Sequence, residues 1–109
     1  MNLAHDLFAL EETVQRCHVL VPAVEAAGRA LAERVKAGSK VLTCGNGGSS
    51  ADAMHFAEEM TGRYRENRKA LPALCLAADG SALTCIANDW SFAEVFHAKW
   101  RLLGKKGMF

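Results

Sequence analysis

An apolar run, Val41-Leu42-Thr43-Cys44, opens into Gly45-Asn46-Gly47-Gly48 and then into a stretch with helical periodicity. The order is strand, glycine-rich turn, helix. Such a turn aims bare backbone N–H groups and a helix N-terminus at one spot, which suits an anion such as phosphate. The two common nucleotide loops each fail at a named residue. A dinucleotide fingerprint needs a third glycine where this chain has Ser50, and a P-loop needs a lysine where Ser49 and Ser50 follow Gly48. For the loop alone, a tight strand-to-helix turn with Ser49 as N-cap is an equally open reading.

The helix that follows narrows the choice. At roughly 100° per residue, Ala53, Phe56, Ala57 and Met60 share one narrow face, the expected core stripe. Asp52, His55, Glu59 and Arg63 share a different sector about 80° wide, and Glu58 lies outside it. Polar residues at this spacing are often mere helix-stabilising pairs, Glu59 with Arg63 for example. Here the sector lies directly behind a candidate phosphate loop. Histidine and glutamate four residues apart can share a metal, and a desolvated glutamate can act as a general base. A phosphate holder and an acid–base pair in such proximity point to a sugar phosphate rather than a nucleotide.

The run GNGGSSADAMHFAEEMTGRYRENR, with the later Ala87-Asn88-Asp89, resembles the sugar isomerase (SIS) family, and within it the phosphoheptose isomerase branch. The resemblance covers most of residues 40–100. It implies that Asn46, Gly47, Gly48 and Ser49 contact the substrate and that Asn88 and Asp89 line its site. His55 and Glu59 would be zinc ligands. Glu59 would also touch substrate as the base that moves a proton between C1 and C2, and Arg63 would support the pocket. The implied reaction is aldose–ketose isomerisation of sedoheptulose 7-phosphate through an enediol. That chemistry requires a base, a group that polarises the carbonyl oxygen and a grip on the distant phosphate.

The family also has a second, serine/threonine-rich phosphate loop and a late helix bearing a glutamine and a histidine. This sequence contains neither, so only two of the expected zinc ligands are present. The expectation is therefore α/β: the N-terminal part of a doubly wound parallel-sheet SIS fold, preceded by two helices. A helical pair over residues 1–38 and a first β-α-β-α part over 40–103 would form one incomplete domain. A fragment, a frameshifted product and a module completed by another chain stay open as explanations. The resemblance implies a homotetramer with active sites where subunits meet. It leaves two non-catalytic alternatives: a sugar-phosphate sensor, and an adaptor for a replication initiator. Retention of Glu59 favours the enzyme branch.

At 109 residues one domain at most is expected. A net charge of +1 gives no electrostatic case for nucleic acid or a membrane surface. Arg63, Arg65, Arg68 and Lys69 read as a solvated helix end. Cys17, Cys44, Cys75 and Cys85 show no C-x-x-C spacing and read as small buried thiols of a reducing cytosol. Acidic residues interrupt the first apolar run and no segment approaches the length of a membrane span, so the cytoplasm is the expected location.

Periodicity predicts a helix over 2–20, then a second with Pro22 in its first turn and Gly38 as its stop. It predicts strands over 41–44 and 71–77, the site helix over 51–63, a short helix over 81–87 and a last helix opened by a Ser91–Glu94 capping box. His5, His18 and His97 read as helix surface, and Trp90 as a core or interface residue.

Overall fold

The computed structural model describes residues 2–104 and divides into two compact units, Met1–Ala32 and Glu33–Phe109. In the first unit, α1 (Leu3–Arg16) is capped by Asn2, whose side chain accepts from His5 N–H at 3.4 Å. The predicted single helix over 2–20 instead tightens into one 3-10 turn at Cys17–Leu20, from which α2 (Val21–Lys36) starts directly. Pro22 falls at the second residue of α2, where its missing N–H costs nothing. The stripe Leu3, Leu7, Leu10 and Val14 is exposed, and no described residue of α1 or α2 is buried.

The second unit takes in the end of α2. Gly38 has φ +87°, its N–H bonds to Val35 O at 3.0 Å, and Ser39 N–H bonds to Arg34 O at 2.9 Å. This paired arrangement around a left-handed residue stops the helix. Then come β1 (Val41–Thr43), α3 (Gly48–Thr61), β2 (Ala73–Cys75), α4 (Gly80–Asp89), a 3-10 turn at Phe92–Glu94 and α5 (Val95–Leu103). The strands pair in parallel, Val41 with Ala73, Leu42 with Leu74 and Thr43 with Cys75. A parallel pair needs a crossover, and α3 supplies it, packing on both strands.

Small residues let α3 approach the sheet. Ala53 and Ala57 are buried, and Thr43 Oγ1 donates to Ala53 O at 2.7 Å. Ala73, Leu76, Ala77 and Val95 complete the buried set. The predicted core stripe is only half right. Phe56 is 48% exposed, because Ala53 and Ala57 alone face the strands. Both strands are shorter than expected, and Leu74 is half-exposed. The cysteines are also corrected. Cys17, Cys44 and Cys85 are exposed and Cys75 is half-buried; for Cys44 and Cys75, at the ends of the strands, a two-stranded sheet is too narrow to enclose them.

At the far end, Asp79 caps α4 by accepting from Ala82 N–H at 3.0 Å. Lys99 of α5 donates to Leu76 O at 3.1 Å with its side chain 14% exposed, tying α5 to the end of β2. The Ser91–Glu94 capping box does not form. Ser91 makes no side-chain cap, and the Glu94 carboxylate lies 3.1 Å from His97 Nδ1 instead. Trp90 is 69% exposed rather than core.

Candidate functional site

The glycine turn is built by backbone demands. Gly47 occupies the N-cap of α3 at φ +54°, a conformation that side chains other than glycine's disfavour. A Cβ on Gly45 would collide with the backbone carbonyl of Ser49. Ser50 N–H bonds to Asn46 O at 3.3 Å and Gly47 O at 3.1 Å, and Ala51 N–H to Gly47 O at 3.3 Å. Ser49 is therefore not the N-cap; it lies inside the first turn of α3.

The loop opens onto a hollow of about 220 Å³ lined by Gly45, Asn46, Gly47 and Ser50, with Thr84 and Phe96 among the residues opposite. Asn88 and Asp89, predicted to follow the short helix, form the last turn of α4 instead and lie outside this lining. They engage each other. Asn88 Nδ2 donates to Asp89 Oδ1 at 2.9 Å, and Cys85 Sγ donates to Asp89 Oδ2 at 3.3 Å. The Asn88 amide, then the Cys85 thiol, hold the Asp89 carboxyl below its ordinary value. The Cys85 thiol is pushed up by its hydrogen bond to Asp89 and by that negative charge.

A second, larger hollow of about 570 Å³ is lined by residues of α3 and of the chain that follows it. Asp52, His55 and Glu59 line it together, as the helical sector predicts, with Phe56, Met60 and Tyr64 supplying much of its apolar wall. His55 Nε2 is 3.3 Å from Glu59 Oε1, with side chains 68% and 35% exposed. Glu58 was placed outside the sector, yet it offers a ligand atom within 4.8 Å of those of His55 and Glu59. The i,i+3 relation between His55 and Glu58 was the signal for it. One imidazole and two carboxylates form a donor set that fits a divalent ion.

Arg63 does not line either hollow; its Nη1 donates to Asn67 Oδ1. Arg68, read from sequence as part of a solvated end, lines the larger one and bonds the backbone of α3. The loop and the His55–Glu59 pair thus occupy separate hollows with no residue in common.

The model of the SIS domain matches residues 9–105. A phosphoheptose isomerase of Sodalis glossinidius is 51% identical over 87 residues, 80% of this chain and 44% of that protein. One of Helicobacter hepaticus is 47% identical over 96 residues, 88% of this chain and 49% of that protein. The chain spans about half the length of the curated relatives it matches. Among solved structures, a phosphoheptose isomerase from Neisseria gonorrhoeae superposes with TM-score 0.83 at 39% identity, over 97% of this chain and 55% of that one. One from Francisella tularensis gives 0.81 at 27% identity, over 96% of this chain and 58% of that one.

Proposed function

This chain belongs to the SIS domain family, and from that premise we propose that the protein carrying it isomerises sedoheptulose 7-phosphate to glycero-manno-heptose 7-phosphate. The observation that carries the reading is the His55–Glu59 pair, 3.3 Å apart on the wall of a hollow large enough for a sugar phosphate. The names of the relatives support the substrate class.

In this reading Glu59 takes the proton from C1 of the ketose and returns it at C2, giving an enediol between the two steps. A carboxylate serves this role only when it is partly withdrawn from water and held in place, and Glu59 is about one-third exposed. His55 and Glu59, with Glu58, would hold zinc. When bound, the ion supplies polarisation of the substrate carbonyl oxygen. Asn46, Gly47, Gly48 and Ser49 would hold substrate through the backbone of the loop, and Asn88 and Asp89 would flank it. Arg63, which lines neither hollow, would support the pocket from outside its lining.

The spacing of the two hollows favours a shared site. From Gly48 to Glu59 the helix advances about 16 Å. An extended heptose phosphate spans roughly 10 Å at ordinary bond lengths. The two hollows share no lining residue, and in this reading the loop of one copy would work with Glu59 of another. The exposed apolar side chains of α1 support such self-association, as a homotetramer. No helix among the described residues is long and apolar enough to cross a membrane; the cytoplasm is the proposed location.

Incubation with sedoheptulose 7-phosphate in D2O tests the reaction. An enediol route places deuterium at C2 of the aldose product, visible by NMR. Product without solvent deuterium at C2 argues for transfer shielded from water or for a hydride shift. Ligand-dependent stabilisation without any product is the mark of the non-catalytic sensor.

A further inference from the structure

The last turn of a helix leaves backbone carbonyls without partners inside the helix. In α3 that turn contains Glu58, Glu59, Met60 and Thr61, so the residue with the carboxylate also carries an orphan carbonyl. Glu58 O is taken by Gly62 N–H at 2.6 Å. The carbonyls of Glu59 and Met60 are both taken by one side chain. Arg68 donates from Nη2 to Glu59 O and from Nη1 to Met60 O at 2.9 Å; Nη1 also reaches Lys69 O at 3.1 Å. Leu71 N–H adds a bond to Met60 O at 3.0 Å. Arg68 lines the same hollow as His55 and Glu59.

We propose that Arg68 is a positioning residue for the Glu59 carboxylate, acting through the backbone rather than through the side chain. The inference rests on Glu59 being the base of the isomerisation proposed above. Arg68 fixes the peptide that follows Glu59, and with it the Cα–Cβ direction from which the carboxylate reaches His55 Nε2. The two carbonyls belong to consecutive residues, and a planar guanidinium presents donors on two nitrogens at once. A lysine ammonium is a single point on a flexible stem and does not reproduce the fork. A cation here also complements the negative end of the helix. The turn segment between α3 and β2 has no strand or helix of its own to hold that end. Arg63, five residues earlier, bonds only within that segment, to Asn67.

The test compares Arg68→Lys, Arg68→Met and, as a control for lost surface charge, Arg65→Gln. Two readouts are taken: steady-state turnover of sedoheptulose 7-phosphate, and amide hydrogen exchange. Both Arg68 substitutions should lower kcat by about tenfold or more while KM stays within about twofold, since mispositioning a reacting group acts on the chemical step. Lysine should not rescue. The Gly62 and Leu71 amides should exchange about tenfold faster, with amides in the middle of α3 unchanged. Arg65→Gln should leave both readouts at wild-type values. A fall in melting temperature with kcat per folded molecule unchanged would make Arg68 merely structural and overturn the inference. So would rescue by lysine. An inactive wild type would sink the isomerase reading instead. Exchange at Gly62 and Leu71 would then decide whether Arg68 holds the end of α3, and unchanged exchange would end the inference as well.

Discussion

Glu59 concentrates the proposed chemistry in one side chain, so the sharpest prediction belongs to it. Glu59→Gln keeps the shape and removes the base. It should lower kcat by about 10²- to 10⁴-fold and leave the ligand-induced rise in melting temperature in place. Turnover like that of the wild type would take Glu59 out of the role. A second prediction concerns Asp89 and Cys85. The Asp89 carboxyl is held low, so its contribution to stability is present above the ordinary carboxylate pKa and is lost as pH falls through the lower folded value. The Cys85 thiol is held high, so its contribution is present below the ordinary thiol pKa and is lost as pH rises through the higher folded value. Asp89→Asn removes the charge that raises the thiol, and Cys85 should then be alkylated faster by iodoacetamide at pH 8. Equal rates would show that the 3.3 Å contact does not govern the thiol.

Elements were legible where local chemistry decides them. Gly38 marked the end of α2 because a left-handed residue there satisfies two carbonyls, those of Arg34 and Val35. Gly38→Ala should cost about 1 kcal/mol, read as a lower denaturation midpoint with an unchanged slope. No measurable loss would mean that the turn relaxes without cost. Glycine turn, site helix and both strands were likewise readable from apolar runs and punctuation. The misreadings occurred where an alternative partner was within reach. Glu94 bonds forward to His97, and Ser91 sits extended at φ −171° before a 3-10 turn, so the capping box has no partner to close on. The strand over 71–77 shrank to Ala73–Cys75 because its register with β1 covers three pairs. Its flanks still bond: Val41 N–H to Pro72 O, and Leu76 N–H to Thr43 O, both at 2.8 Å.

At the scale of the whole molecule, the two hollows set the prediction. Gly48→Asp adds a carboxylate at the loop without a steric clash, since nothing lies within 4 Å of its Cβ position. Alone it should abolish substrate binding, as Glu59→Gln alone should abolish turnover. Co-expressed, the two inactive variants should regain activity, up to about a quarter of the wild-type value for randomly mixed sites in a symmetric oligomer. Absence of recovery in demonstrably mixed oligomers would place loop and base on the same chain. A mixed oligomer with recovered turnover would also account for the exposed Leu3, Leu7, Phe8 and Leu10 of α1.

The sequence by itself determined the α/β order, the glycine turn and the sector that holds Asp52, His55 and Glu59, because each depends on backbone freedom or on helical period within a few residues. Only the tertiary structure decided which apolar residues face the strands, that the loop and Glu59 open onto separate hollows, and that Arg68 rather than Arg63 lines the larger one. Those outcomes depend on where α3 lies against the strands and on how the chain between α3 and β2 turns back on the helix end. Such contacts join residues eight or more positions apart, and no helical or strand period records them.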